Sequence, residues 1–124
     1  LSIQELILLL LITPAQAGDI NSKIDLYANQ YQIPPILARE LIQSESRYDP
    51  LAYKKGLYGL GQIKCKTAKE IGLKGDCEQL FQIDTNLIYS MRYLKLALNK
   101  ADNNHCKAKQ LYKKGLYTKK KIKC

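Results

Sequence analysis

The 124-residue sequence predicts a small, mainly α domain, with about four to six short helices around one apolar core and little or no β-sheet. Three observations lead there. Apolar residues recur at helical spacing in several separate segments, whereas no stretch alternates with the period of two that a half-buried strand requires. Hydrophobic residues make up 46% of the chain and charged residues 25%, a balance that sustains one core and excludes compositional disorder. Four cysteines, all outside the apolar N-terminal stretch, predict two disulfides that tie so small a fold.

Residues 1–17, LSIQELILLLLITPAQA, hold an apolar run from Leu6 to Ile12, then Pro14, then small residues at Ala15 and Ala17. This is the h-region and A-x-A cleavage pattern of a secretory signal peptide, too short to span a bilayer comfortably. The segment lacks a basic n-region and begins with Leu, so its true start is expected upstream. The mature domain is then residues 18–124, exported to the periplasm or beyond and monomeric.

Asn21 and Ser22 offer caps for a first helix whose Ile24, Tyr27, Ala28 and Tyr31 share a face. It should stop by Gln32, because Ile33 precedes Pro34 and a residue before proline is driven out of helical conformation. Pro35 suits the first turn of a new helix. There Leu37, Ala38, Leu41 and Ile42 form an apolar stripe, and four residues beyond Leu41 stands a carboxylate, Glu45. Burying an ionised glutamate is costly, so one that continues an apolar stripe should have a raised pKa and stay partly protonated near neutrality. That is the chemistry of a general acid. The plain alternative is a solvated residue at the end of the helix. Glu40, with Arg39 and Gln43, reads as a solvated face.

Tyr48, Asp49 and Pro50 end this helix, with Asp49 expected to hold the turn. LAYKKGLYGLGQI follows. Gly56, Gly59 and Gly61 exclude regular helix and point to tight turns or close approach of a ligand to the backbone. The residue order does not fit a phosphate loop. A short hairpin whose glycines serve only turn geometry explains the stretch as simply. A further helix over about residues 66–70 should end at Gly72, and the segment to Phe81 should be a disulfide-tied loop. Asp84 or Thr85 should cap the core helix, built on Leu87, Met91, Leu94 and Leu98. Asp102 to Asn104 break it. Cys106, Ala108, Leu111 and Tyr112 mark a last short helix stopped at Gly115, and Cys124 ties back a basic tail.

Twenty Lys and Arg against 11 acids give a formal charge of +9, which predicts attraction to nucleic acid, an acidic membrane surface or an anionic wall polymer. Cys65, Cys77, Cys106 and Cys124 allow three pairings. Closing the shortest loops joins Cys65 to Cys77 and Cys106 to Cys124. There is no C-x-x-C pair, and the single histidine, His105, abuts Cys106 without useful spacing, so neither a metal nor a cofactor is expected.

The order of the segments is more specific than any one of them. A helix ends in Glu45, Ser46, Tyr48, Asp49 and Pro50; Gly59, Leu60, Gly61, Gln62 and Ile63 follow; then Thr67 to Gly72; then a helix led by Asn86 and Leu87 with Tyr93 and Leu94; then Tyr112 before Gly115. From about Ile33 to Leu116 this resembles the soluble-type lytic transglycosylases, the SLT domain of the lysozyme-like superfamily. The resemblance implies a lysozyme-like fold and cleavage of the β-1,4 bond between N-acetylmuramic acid and N-acetylglucosamine in peptidoglycan. The muramyl C6 hydroxyl attacks C1 in place of water and leaves a 1,6-anhydro end. It implies that Glu45 acts first as acid and then as base, with the substrate's N-acetyl group stabilising C1, so that no second carboxylate is needed. Gly59 to Gln62 would line the glycan groove, Ser46 would lie near the acetamido group, and Tyr112 would face the acid.

From the residues alone these are, in turn, a turn-forming loop, a helix-end hydroxyl bonded to its own backbone, and a core tyrosine. The sequence also departs from the family pattern. The A-Y-N motif reads Leu111, Tyr112, Lys113. Gly61 stands where relatives often carry Met, which would widen the groove, and Ser90 stands where a glycine usually permits close helix packing. Tyr48, Tyr53 and Tyr58 offer ring faces for sugars to stack on, while one or two of them are expected to fill a core that has a single Phe and no Trp. The expected partners are peptidoglycan strands and an envelope-spanning secretion or conjugation apparatus, and not nucleic acid. Two other readings remain open: a lysozyme that hydrolyses the same bond, and a non-catalytic cationic wall-binding protein.

Overall fold

Proline sets the first boundary. The computed structural model describes residues 20–124, so the signal peptide expected at residues 1–17 lies outside the described residues. Helix α1 runs through residues 20–30, and helix α2 spans Pro35–Ser46 with Pro34 at its cap. Pro35 occupies the first turn, where a missing N–H costs nothing. Three two-residue strands follow, β1 (Tyr53–Lys54), β2 (Leu57–Tyr58) and β3 (Ile63–Lys64). They form one antiparallel sheet in that order, with Tyr58 opposite both Tyr53 and Ile63. The hairpin reading of the glycine-rich stretch therefore describes its backbone correctly. Then come α3 (Cys65–Glu70), a 3-10 helix (Cys77–Phe81), α4 (Ile83–Lys100) and α5 (His105–Lys114). Among the described residues no helix is long and apolar enough to cross a membrane.

Helix α4 is the core helix that its periodicity predicts. Leu87, Met91, Leu94 and Leu98 are all buried and meet Leu37, Leu41 and Ile42 of α2 and Ala108 and Leu111 of α5 in one cluster. Each of the leucine, isoleucine and methionine side chains contributes about 1.5–3 kcal/mol of burial free energy. A smaller cluster of Ile63, Ala68, Leu73 and Leu80 lies under the sheet. The Cys65–Cys77 disulfide closes over it, and Cys106–Cys124 ties the basic tail to α5, so both local pairings form.

Two details differ from expectation. The segment before α4 is a 3-10 turn and not an open loop, and α4 starts one residue before Asp84, with no side-chain cap. Asp84 is engaged elsewhere: it accepts from Lys23 Nζ at 2.9 Å and Tyr27 OH at 2.8 Å, pinning α1 to α4. Asn104 does cap α5, accepting from the Lys107 N–H.

Asn86, 1% exposed near the start of α4, joins four parts of the fold. Its Oδ1 accepts from the Gly61 N–H and the Ser90 hydroxyl, each at 2.9 Å, while its Nδ2 donates to the carbonyls of Tyr58 and Leu80 at 2.8 Å. Both of its donors and both acceptor positions are used. Asn86→Ala leaves three backbone groups without this partner, and it should lower unfolding stability by about 3 kcal/mol or more, read from urea denaturation. A loss under about 1 kcal/mol would show that the loop holds its shape without Asn86.

Candidate active site

Helix α2 carries Glu45 one turn past Leu41, where the apolar stripe runs out into a cleft. The side chain is only 10% exposed and accepts no hydrogen bond among the described residues. Its one ion pair among them is with Lys113 on α5, Nζ to Oε1 at 4.0 Å. Burial raises its pKa above the ordinary carboxylate value, and the Lys113 ammonium draws it part of the way back. Glu40, one turn earlier, is bound to Lys109 at 3.0 Å. The solvated-face reading fits that residue and not Glu45.

Directly after the acid the chain reverses. Arg47 and Tyr48 both take left-handed backbone angles, φ 53° and 63°, a conformation that costs about 1–2 kcal/mol per non-glycine residue. Asp49 then accepts from the Leu51 N–H at 2.9 Å and holds the turn before the sheet. The result sets the hairpin and the loop after β2 across from α5, with Glu45 between them. The cleft has a volume of about 450 Å³. Ser44 and Glu45 line it from α2, Lys54, Lys55 and Leu57 from the hairpin, Gln62 to Lys64 and Thr67 from the sheet and α3, Tyr93 from α4, and Tyr112 to Gly115 from the end of α5.

Of the residues singled out from sequence, Glu45, Gln62 and Tyr112 meet at this cleft. Gln62 is 7% exposed with φ 46°, a strained conformation of the kind that collects at binding sites. Its Nε2 donates to the carbonyls of Ala52 and Gly59, which leaves Oε1 as its free acceptor. Tyr112 is buried and donates its hydroxyl to the Gly61 carbonyl at 2.6 Å. Burial pushes that phenol far up, so it stays a donor at any physiological pH. Its ring packs edge-on to Tyr93, centroids 5.1 Å apart.

Ser46 and Gly59 are not brought to the cleft. The Ser46 hydroxyl donates to the Ile42 carbonyl at 3.2 Å, the helix-end bond that such residues commonly make. Ser44, on the neighbouring face, lines the cleft instead. Gly59, φ 66°, lies behind the loop, where a Cβ would sit 2.5 Å from Asn86 Nδ2 and the Leu80 carbonyl. The tyrosines expected on sugars are also placed differently. Tyr53 and Tyr58 stack edge-on at 5.0 Å and cluster with Phe81 away from the cleft, Tyr48 packs against the core, and Tyr93 and Tyr112 line the cleft. Sequence reasoning gave no role to Lys54, Lys55, Lys64 or Lys114. Their common placement appears only once the hairpin is folded against α5.

Gly61 does not widen the groove as its size predicts, because it faces the other way. A Cβ there would lie 2.0 Å from Ser90 Oγ and 2.7 Å from Tyr112 OH. Ser90 fills the space into which a residue at position 61 would project, so the two departures from the family pattern meet face to face and compensate.

A helical domain stapled by two disulfides, with one desolvated carboxyl, the only acid lining the cleft among the described residues, set between a small sheet and a helical half, has a lysozyme-like architecture. The family model described as the Transglycosylase SLT domain matches residues 22–123, and the chain belongs to that family, whose activity is cleavage of peptidoglycan. The match extends beyond the stretch that carried the sequence resemblance and takes in α1 and the disulfide-bound tail. No curated protein and no solved structure matches the chain.

Two expectations follow from this geometry. Gly61→Ala should destabilise the fold by about 1–3 kcal/mol through overpacking. Adding Ser90→Gly should recover part of that loss, even though glycine itself costs about 1 kcal/mol within a helix. Urea titration of the double-mutant cycle reads the coupling, and strict additivity would deny the compensation. The second concerns Glu45. Its raised pKa means that the folded state binds the proton more tightly than the unfolded chain. Stability linked to this group is fully present below the ordinary value of 4.5 and is lost as pH rises through the folded value. Glu45→Gln should therefore melt above wild type near neutral pH and lose that advantage well below pH 4.5. Calorimetric melts that show no pH dependence of the difference would rule out desolvation of the carboxyl.

Proposed function

We propose that this domain is a lytic transglycosylase in which Glu45 is the only acid–base residue. One observation carries the reading: Glu45 is the sole acidic residue lining the cleft among the described residues, and burial favours its protonated form. Glycosidases that work with two carboxylates need a partner about 5–9.5 Å away, and the cleft lining supplies none. A single carboxyl suffices if it is used twice. Protonated Glu45 donates to the glycosidic oxygen as the bond from muramyl C1 to that oxygen breaks, and the N-acetyl group shields the electron-poor C1. The carboxylate then takes the proton of the muramyl C6 hydroxyl as its oxygen bonds to C1. The proton returns to Glu45, and no water is consumed.

The surrounding groups suit this cycle. Desolvation favours the protonated carboxyl that the first half needs, and Lys113 stabilises the carboxylate formed midway. Lys113 thus occupies the place of the family's Asn with a charge in place of an amide. Gln62 Oε1 is available to accept from a sugar amide or hydroxyl, and the Tyr112 hydroxyl holds the loop carbonyl beside it. The two disulfides fit an oxidising compartment, and with the N-terminal signal pattern they support export to the wall.

Digestion of purified peptidoglycan followed by mass spectrometry should yield muropeptides lighter by one water than hydrolytic products. Glu45→Gln should reduce release by about 10²–10⁴-fold. Products with ordinary reducing ends would make the domain a lysozyme. Full activity in Glu45→Gln would remove the mechanism altogether.

A further inference from the structure

The cleft contains more positive charge than a sugar backbone requires. Lys54 and Lys55 reach it from β1 and the turn after it, Lys64 from β3, and Lys113 and Lys114 from the end of α5, so the five stand on both sides of Glu45. Lys113 pairs with Glu45, and Lys114 donates to the Lys121 carbonyl. Lys54, Lys55 and Lys64 are exposed and make no ion pair among the described residues. The acids that pair with cations elsewhere, Asp25, Glu40 and Asp84, do not line this cleft. Like charges converging on one concave site repel each other and focus a field that draws anions in.

A chain of N-acetyl sugars presents amides, hydroxyls and ring faces, which aromatic and amide side chains serve; a lysine ammonium can donate to a sugar oxygen, but five of them gathered at one cleft find a matching charge only in an anion. Lysines serve carboxylates. In peptidoglycan these are carried by the stem peptides, which hang from the muramyl sugar, the residue whose C1 must sit beside Glu45.

We propose that the lysine rim formed by Lys54, Lys55 and Lys64, with Lys113 and Lys114 opposite, recognises stem-peptide carboxylates, so that the preferred substrate is a peptide-bearing strand and not bare glycan. The inference rests on the peptidoglycan-cleaving reading of the same cleft. The hairpin lysines hold the peptide on one wall while α5 meets it from the other, which sets the muramyl ring, and not its neighbour, next to the acid. Such contacts are solvent-exposed, individually weak and sensitive to salt.

The test measures binding apart from cleavage. Insoluble peptidoglycan, stripped of phosphate-bearing polymers by acid, is compared with the same material after carbodiimide amidation of its carboxylates. Co-sedimentation of the full chain should weaken by about ten-fold on amidation, the sum of three modest ion pairs. The triple variant Lys54→Gln, Lys55→Gln, Lys64→Gln should bind native material about ten-fold more weakly and show little further loss on the amidated form. A control with equal charge removed elsewhere, at the exposed Lys74, Lys107 and Lys120, should keep the ten-fold dependence on carboxylates. Equal wild-type binding to native and amidated material overturns the proposal. So does a control variant that behaves like the rim variant, or affinity that vanishes when the phosphate polymers are stripped. Carboxylate-dependent binding without any glycan product would sink the catalytic reading and leave the rim standing.

Discussion

The fold's geometry depends on one buried amide. Asn86 holds β2, the Gly61 loop and the 3-10 helix against α4 through three hydrogen bonds, and a fourth, from Ser90 within α4, orients its amide. A buried amide on this scale is tolerable only when every donor and acceptor is used, and here each is. The arrangement explains why a three-stranded sheet with two residues per strand persists. Strands so short form too few ladder bonds to stand alone. They are instead fixed from behind by a side chain of the core helix, and from below by the small apolar cluster that the Cys65–Cys77 disulfide encloses. Gly59 and Gly61 allow the loop to lie flat on α4, and Tyr112 completes the contact by binding the Gly61 carbonyl. The loop that bears Gln62 is thus held by α4 and α5 at once, and so keeps a constant position relative to Glu45.

Much of this was readable in the sequence. Helical spacing located α2, α4 and α5, the double proline located the start of α2 at the correct residue, and closing the shortest loops found both disulfides. Glu45 stood out because a carboxylate on an apolar stripe is expensive, and the cost is visible without coordinates. What could not be read depends on which way a loop residue faces. Ser46 and Gly59 lie within motifs that surround the cleft, yet one bonds its own helix and the other is packed against Asn86. Size alone made Gly61 a hole in the groove, whereas its α-carbon faces Ser90. Tyr53 and Tyr58 were candidates for sugar stacking by proximity in sequence, but neighbouring positions in a hairpin are free to pair with Phe81 instead. In sequence Asn86 stands only near the head of a helix, and nothing there distinguishes a solvated amide from one with four buried partners.

The lysines illustrate the same limit from the other direction. Along the chain they look scattered, and a net charge of +9 on 124 residues invites only the general statement that the protein seeks polyanions. Folding converts three separated positions on the hairpin and β3, together with two on α5, into one rim. Charge spread evenly over a surface would steer association without selecting a ligand. Charge gathered around the cleft that holds Glu45 also acts on the acid, since the Lys113 ammonium that would attract an anionic substrate also stabilises the Glu45 carboxylate.

These two effects of Lys113 pull in opposite directions and limit each other. A cation close enough to form a tight ion pair would deprotonate Glu45 and remove the acid needed to begin the reaction. One absent altogether would leave the carboxylate costly to form midway. At 4.0 Å, from a lysine side chain that is itself 58% exposed, the attraction is screened and the burial of Glu45 prevails, which is why the net direction of its pKa is upward. An asparagine at this position could orient a sugar but not offset charge. On the proposed mechanism, the replacement moves the site toward stabilising the carboxylate formed midway and drawing in an anionic substrate, at the expense of some acid strength. By that mechanism, loss of the family's Asn is a shift in how the acid is managed, because a buried carboxyl with one screened cation beside it still meets both halves of the proposed cycle.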